Sequence, residues 1–446
     1  MKIYLDTVGC RLNQSEIEAY ARRFVASGHI LVSDPQNADL AVINTCTVTA
    51  QAASDSRQKI RQAQRLGARQ VVVTGCWATM EAEEAMALAG VVSIIPNSAK
   101  DDLVAMLGLE TPTAQTANPP RQAVPGSRMR TRAFIKVQDG CDNRCTFCIA
   151  TIARGPARSR QPEAIIADIQ AALDSGAQEA VLTGVHLGSW GKEKGFQATR
   201  KAIHCLYDLV EAILTRTSLP RLRLSSLEPW DLDESFFDLW ETPRLCRHLH
   251  LPLQSGCDQT LRRMGRRTTQ EDFARLIAAA RKAVPEMAIT TDIMVGFPGE
   301  DEAEFEDSLA FVEQMQFAGG HVFTYSARPG TVAARLPQQV PHALRKQRNA
   351  AMRQVIARSV QQYRQRFLGK MLCVLWEEAH PMTGNPPYKS APCTAGERGA
   401  WQLSGLTDNY LRVTAQHHRN LRNQITSVLL KETNAEGLKG DITSLP

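Results

Sequence analysis

The chain has 446 residues, 43% of them hydrophobic and 22% charged, an ordinary globular make-up with room for two to four domains. No apolar run approaches the roughly 18 residues a membrane helix needs, and Met1-Lys2-Ile3-Tyr4-Leu5-Asp6 lacks the apolar core of a signal peptide. A cytoplasmic protein with no membrane association is expected, in which eleven cysteines point to metal or catalysis before disulfides.

Residues 1–109 alternate apolar runs with helical patterns. Segments 2–5, 40–43 and 70–73 read as strands, and 15–27, 52–66 and 81–88 as helices, which argues for a doubly wound parallel α/β sheet. Each strand runs into a cysteine: Val8-Gly9-Cys10, Asn44-Thr45-Cys46 and Thr74-Gly75-Cys76. Ligands collect outside the carboxyl ends of strands in such sheets, so the three thiols are expected to converge. Gly9 and Gly75 would let the backbone turn tightly there. One free cysteine is commonly a small buried hydrophobe. Three at equivalent strand ends read instead as metal ligands: Cys10, Cys46 and Cys76 holding a cluster with one iron left open.

Residues 110–131, with Pro112, Pro119, Pro120 and Pro125 and no apolar periodicity, read as a linker. Arg128, Arg130 and Arg132 at its end suit either a polyanion or plain solvation.

Residues 132–340 show six strand–helix units. Strands are expected near 133–137, 180–183, 221–225, 248–252, 288–293 and 321–325, with helices such as 162–175, 203–215, 270–283 and 302–315. Six units are too few for a closed eight-stranded barrel, so a partial (β/α)6 barrel is expected, its open side admitting a bulky substrate. The first strand leads into Gly140-Cys141-Asp142-Asn143-Arg144-Cys145-Thr146-Phe147-Cys148. Thiolates select iron–sulfur clusters, zinc or copper(I). A structural zinc site would show two closely spaced pairs. A cubane ordinarily takes four cysteines, so Cys141, Cys145 and Cys148 would leave one iron open for a substrate or cofactor.

Polar residues follow the remaining strands. Gly184 and Gly296 would let backbone approach a cofactor, while Glu228 and Gln254 are candidates for its ribose or amino group. His186 reads as a polar wall rather than a proton carrier, and Cys205, Cys246 and Cys257 lack ligand spacing and read as packing residues.

The net charge of +6 is uneven: from residue 341 onward, 15 Lys and Arg stand against 7 Asp and Glu. Residues 341–368 read as a bridging helix, with Met352, Val355, Ile356, Val360, Tyr363 and Phe367 at helical spacing. Its flanks carry Arg345, Lys346, Arg348, Arg353, Arg358, Arg364 and Arg366, with Lys370 just beyond. Strand-like pieces at 371–376, 400–403 and 410–415, broken by a turn-rich 381–387, suggest a small β-barrel over 369–432 and a tail over 433–446. Small basic β-barrels commonly bind RNA; a purely structural cap is the alternative.

Over nearly its whole length the chain resembles the radical SAM (S-adenosylmethionine) methylthiotransferases. The resemblance rests on Gly9-Cys10, Asn44-Thr45-Cys46, Thr74-Gly75-Cys76, Gly140-Cys141 through Cys148, Leu251-Pro252-Leu253-Gln254-Ser255-Gly256 and Tyr325 through Thr331. It implies two 4Fe–4S clusters, SAM chelated at the open iron of the Cys141 site, and a TRAM-like RNA-binding barrel at the C-terminus. It also implies catalytic roles for all six cysteines. Cleavage of SAM would give a radical that attacks carbon 2 of an adenine in the anticodon loop of tRNA, at position 37. The Cys10/Cys46/Cys76 site would present the sulfur.

Gly9-Cys10-Arg11-Leu12-Asn13-Gln14 and Thr45-Cys46-Thr47-Val48-Thr49 are similar to the branch acting on N6-threonylcarbamoyladenosine. The isopentenyladenosine branch, the branch modifying a ribosomal-protein aspartate, and a non-catalytic iron–sulfur RNA-binding protein are the alternatives. Residues 379–400 are longer and richer in proline than a minimal TRAM domain. An electron donor such as a flavodoxin-type protein is implied, and a monomer is expected.

Overall fold

The computed structural model describes residues 1–111, 121, 125, 131–198, 203–382 and 400–444. Most of the expected linker, with Arg128 and Arg130, lies outside the described residues, as do positions 383–399 of the proline-rich stretch.

The first unit is an all-parallel five-stranded sheet: β1 (Lys2–Thr7), β2 (Ile30–Val32), β3 (Leu40–Thr45), β4 (Val71–Gly75) and β5 (Val91–Ile95), in the order β2-β1-β3-β4-β5. β3 and β4 are buried along their whole length, as apolar strands covered on both faces must be. Val42 and Val72 face a core with Ile17, Tyr20 and Phe24 of helix Arg11–Ala26. Ile43 and Val73 face the opposite one, with Ile60 of helix Ala50–Arg65. The three expected strands are present. The short edge strands β2 and β5 were not anticipated, because a run of three and one ending Ile94-Ile95-Pro96 carry little periodicity. The third expected helix, 81–88, is the shorter Ala82–Met86, and a further short helix not expected, Cys76–Met80, precedes it, so Cys76 opens a helix.

The second unit carries β6 (Arg132–Lys136), the short ribbon β7 (Gln138–Asp139) and β8 (Arg158–Ser159), then β9 (Glu179–Thr183), β10 (Arg221–Leu224), β11 (His248–His250), β12 (Ala288–Val295) and β13 (Gly319–Thr324). β10-β9-β6 and β11-β12-β13 are parallel sheets, joined by parallel bridges Leu222–Leu245 and Ser226–His250. The result is the expected open six-stranded barrel, in sequence order. Side chains alternate along each strand. Ala133, Ile135, Leu222, Leu224, Leu249 and Ile289 pack outward against the helices, and Arg223, His248, His250 and Asp292 fall on the inner face.

Helix His342–Gln365 ties this unit to the last. Met352, Val355 and Ile356 enter the central core, while Tyr363 and, just beyond the helix, Phe367 enter the terminal one. Its basic flanks are less available than the sequence suggested. Arg348 is buried against Glu300 and Glu302, and Arg345 donates to the Tyr325 carbonyl. Arg358 and Lys370 pair with Glu313 and Glu286, and Arg364 and Arg366 donate to backbone carbonyls.

β14 (Met371–Pro381), β15 (Trp401–Thr407), β16 (Arg412–His417), β17 (Ile425–Thr433) and β18 (Leu438–Ser444) close a barrel in the order β14-β15-β16-β18-β17. The stretch 433–446, expected as a tail, is corrected: β18 pairs with β17 and runs parallel to β16, and the barrel would be open without it. The barrel docks at the end of the central unit where the strands begin. Arg221 donates to the Leu406 and Cys373 carbonyls, Arg223 to those of Thr407 and Asp408, and Arg247 pairs with Asp408 at 2.6 Å.

Arg223 also pairs with Glu179 at 2.7 Å, both side chains 0% exposed. Removing one partner of such a pair strands a buried charge. Glu179→Ala is expected to cost about 3–5 kcal/mol of stability, read as a fall in Tm. Arg275→Ala in the exposed pair with Glu271 is expected to cost about 0.3–0.5 kcal/mol.

Candidate active site

Sheet topology brings the first cysteine trio together. In the order β2-β1-β3-β4-β5 the chain leaves β1 and β3 in opposite directions, which opens a crevice at their carboxyl ends. Cys10 follows β1, Cys46 follows β3 and Cys76 follows β4. The glycines are demanded by crowding. Gly9 has φ +111°, and a Cβ there would stand 2.9 Å from the Cys46 Sγ; Gly75 has φ +94°, and its Cβ would stand 2.3 Å from the Thr45 carbonyl. Asn97 Nδ2 donates to the Cys76 Sγ at 3.5 Å, and Cys10 Sγ lies 3.7 Å from Asn13 Oδ1. Burial, together with the neighbouring Cys10 and Cys76, pushes the Cys46 thiol up to about 11.

The second trio sits on the loop between β7 and helix Ile149–Arg154. Gly140 has φ +68°, and a Cβ there would stand 1.8 Å from the Pro156 carbonyl, so no other residue fits. Gln138 Nε2 donates to the Gly140 carbonyl at 2.7 Å while its Oε1 accepts from the His186 N–H at 2.9 Å. The turn after helix Asp258–Met264 clamps the other side: Thr146 donates through N and Oγ1 to the Met264 and Arg263 carbonyls, both at 2.9 Å. Burial and the other two thiols push Cys141 up to about 12, and burial raises Cys145 and Cys148.

Among the described residues, no three His, Cys, Asp or Glu side chains close around a point as ligands of one ion would. Three thiolates on different corners of a cubane stand wider apart than that. The donor set fits a cluster: soft sulfur ligands carried on crowded glycine turns.

Of the other expected site residues, Glu228 follows β10 and pairs with Arg266 at 2.7 Å. The Arg266 guanidinium also faces the Cys145 thiol, opposing the upward push of burial on it, and lies 4.5 Å from the Trp230 ring centroid. Gly184 packs on Gln138, a Cβ there standing 3.0 Å from its Oε1. Gln254 adopts φ +71° and its backbone pairs with Asp292 and Met294 of β12. Gly296 leaves room for the Arg345 side chain, which a Cβ would strike at 2.2 Å.

His186 is a wall residue: Nε2 lies 2.5 Å from Asp231 Oδ2, and Nδ1 lies 3.3 Å from Asn143 Nδ2, between the first two cysteines of the loop. This network assigns the proton to Nε2. Cys246 and Cys257 are buried and Cys205 half-buried, apart from both trios.

Sequence reasoning missed the charged residues between the trios. Arg154, six residues past Cys148, donates to Asn13 Oδ1 at 2.7 Å and pairs with Asp139 at 2.9 Å and Glu16 at 3.2 Å. Lys100 reaches Glu16 at 2.5 Å, and Lys136 reaches Asp139 at 2.8 Å. Asn97, which touches Cys76, also donates to the Ala153 carbonyl at 2.8 Å. Arg328, in the motif after β13, donates to Thr47 Oγ1 at 2.6 Å, one residue past Cys46. The two trios therefore adjoin, linked by single side chains. No local sequence pattern marks a contact between Glu16 and Arg154.

Comparison with known proteins agrees with this geometry. Residues 135–312 match the radical SAM superfamily, and residues 2–96 match the uncharacterized protein family UPF0004. The threonylcarbamoyladenosine tRNA methylthiotransferase MtaB of Bacillus subtilis is 33% identical over 96% of this chain and 93% of its own length. The chain belongs to the radical SAM methylthiotransferase family. MtaB of Thermotoga maritima is 34% identical over 84% of the chain and 86% of its own. The tRNA-2-methylthio-N(6)-dimethylallyladenosine synthase of Caldicellulosiruptor saccharolyticus is 32% identical over 83% and 81%. The radical S-adenosylmethionine methyltransferase TsrM of Kitasatospora setae shares the fold, with TM-score 0.58 and 16% identity over 75% of each chain. Radical SAM methylthiotransferases use SAM and 4Fe–4S clusters, which is what the donor sets fit.

The linking charges should make the protein acid-sensitive. Burial pushes the Glu16 carboxyl up, but Lys100, Arg154 and Lys136 outweigh it and hold it well below its usual 4.5. Its contribution to stability is complete above that pH and is lost as pH falls through the depressed value. Thermal unfolding is expected to show Tm falling from pH 4.5 downward. Glu16→Gln should be about 3–5 kcal/mol less stable at pH 7, with a shallower slope in the acid range.

Proposed function

We propose that this chain methylthiolates carbon 2 of N6-threonylcarbamoyladenosine at position 37 of tRNA. The observation that carries the reading is the adjoining of two three-cysteine sites, each at the carboxyl ends of parallel strands and each able to leave one iron open. Breaking an unactivated aromatic C–H bond is beyond acid–base chemistry. Cys141, Cys145 and Cys148 would hold a cluster that supplies the electron for cleaving SAM, and Cys10, Cys46 and Cys76 one that presents the sulfur.

The chain's own residues position and shield these groups. Glu228, which follows β10 and pairs with Arg266 beside the Cys145 loop, is the candidate to receive the amino or ribose group of SAM. Gln254 and the backbone at Gly184 and Gly296 are the further candidates for contact with SAM. Arg266 spans Glu228 and Cys145, so it couples the cofactor's seat to its ligand loop. Residues 1–109 act as the sulfur-delivering domain, 132–340 as the radical SAM core, 341–368 as the bridge, and the barrel from 369 onward as an RNA-binding module.

The tRNA anticodon loop suits this site because its bases can be splayed out of the stack. Lys346 and Arg353 of the bridging helix are exposed, and so is Arg419 of the barrel. A flavodoxin-type protein as electron donor, a monomer and a cytoplasmic setting complete the proposal; among the described residues no helix is long and apolar enough to cross a membrane.

The test is mass spectrometry of tRNA nucleosides with and without the protein. Loss of 2-methylthio-N6-threonylcarbamoyladenosine with accumulation of its precursor is the expected result. Loss of the isopentenyl form would move the substrate to the other tRNA branch, and no change would redirect the search to ribosomal protein. Cys145→Ala is expected to abolish cleavage of SAM to 5′-deoxyadenosine while tRNA binding persists. That binding should weaken steeply as salt rises.

A further inference from the structure

The Arg11 guanidinium beside the sulfur site has no counter-charge among the described residues. Arg11 follows Cys10 directly and opens helix Arg11–Ala26. It is half-buried, and among the described residues it forms no ion pair. Its hydrogen bond runs from Nη2 to the Tyr410 hydroxyl at 3.0 Å. Tyr410 comes from the opposite direction, on the turn between β15 and β16 of the terminal barrel. It adopts φ +65°, a strained conformation for a tyrosine. Its ring stacks on His248 at 4.0 Å between centroids, with the Arg223 guanidinium 5.3 Å away. Arg11 thus reaches from the sulfur site into the interior of the six-stranded unit, where Tyr410 holds it.

That interior is short of negative charge. Glu179 is taken by Arg223, Asp292 lies 3.2 Å from His250, and Glu377 is taken by Arg132. Burial and the arginines around it, Arg11 included, push His248 well below the usual histidine range. A half-buried arginine with one neutral partner and several free donors is a receptor for a carboxylate.

We propose that Arg11 binds the carboxylate of the threonylcarbamoyl group, and so selects an anionic N6 substituent over an apolar one. The inference rests on the substrate proposed above. Carbon 2 and N6 flank N1 on one edge of adenine. A group carried on N6 therefore lies within an arginine's length of the site that delivers sulfur to carbon 2. An apolar substituent in the same place would leave Arg11 without a partner, which is how a polar site rejects an analogue.

The test uses the cluster-loaded protein and three synthetic anticodon stem–loops. One carries threonylcarbamoyladenosine at position 37, one the same group with its carboxylate converted to the amide, and one plain adenosine. Wild type is expected to bind the carboxylate form about tenfold more tightly than the amide, in keeping with a charge-assisted hydrogen bond. Arg11→Gln should bind all three alike, with iron content and SAM cleavage retained, and Arg11→Lys should keep part of the preference. Equal binding of carboxylate and amide by wild type overturns the inference, and needs no variant. A preference that survives in Arg11→Gln also overturns it, as does equal weakening on all three RNAs, which would make Arg11 a phosphate contact. Methylthiolation of the first stem–loop by wild type is scored separately. Its absence refutes the proposed substrate; its presence with equal binding refutes the role of Arg11 alone.

Discussion

The structure turns on a buried group of charges between its two cysteine sites. Lys100, Lys136 and Arg154 meet Glu16 and Asp139, and every one of these side chains is 7% exposed or less. Desolvating five charges is costly, and their mutual attraction repays that only with close geometry, so such a group is sensitive to small displacements. Its members are spaced along the chain to make that sensitivity useful. Glu16 lies six residues past Cys10, Asp139 two before Cys141 and Arg154 six past Cys148. The network therefore fixes the two ligand loops to one another, and not merely one domain to the next. Arg154 also faces Cys10 and Cys76, where metal-bound thiolates would add negative charge.

What was legible in the sequence is what repeats locally. Strands β3 and β4 announce themselves as unbroken apolar runs, and each delivers its cysteine at the end where parallel sheets place ligands. The loop from Gly140 to Cys148 declares itself by spacing alone. Long-range partners were not legible. Arg266 stands 121 residues from Cys145, and Glu16 138 residues from Arg154. Only the fold brings such pairs within reach. Edge strands were lost for a different reason: β2 is three residues long and half-exposed, too short for periodicity to distinguish it from a loop. β18 was lost because Leu438-Lys439-Gly440-Asp441 carries more polar than apolar residues, and it reads as a strand only once β17 and β16 are beside it.

Charge was legible as a total and misleading as a surface. The basic stretch 341–370 suggested a polyanion-binding face, yet most of its arginines hold the protein together. An arginine fork satisfies several acceptors at once, so it suits a junction where strand ends and loops leave carbonyls unpaired. Arg221, Arg223 and Arg247 do the same where the terminal barrel meets the central unit. A net-charge argument for nucleic-acid binding therefore needs the residues left over after internal pairing, and here that remainder is smaller than the sequence count.

The way the barrel docks has a mechanical consequence. It covers the amino ends of the central strands, while both cysteine sites lie at carboxyl ends, so it does not stand over the reacting groups. Its Tyr410 nevertheless reaches through the interior to Arg11, one residue from Cys10. The three units are thus joined twice: by buried charges near the cysteine loops, and by an arginine–tyrosine–histidine column along the inner face of the strands. Displacing the terminal barrel therefore disturbs Arg11 as well as the strand ends it covers.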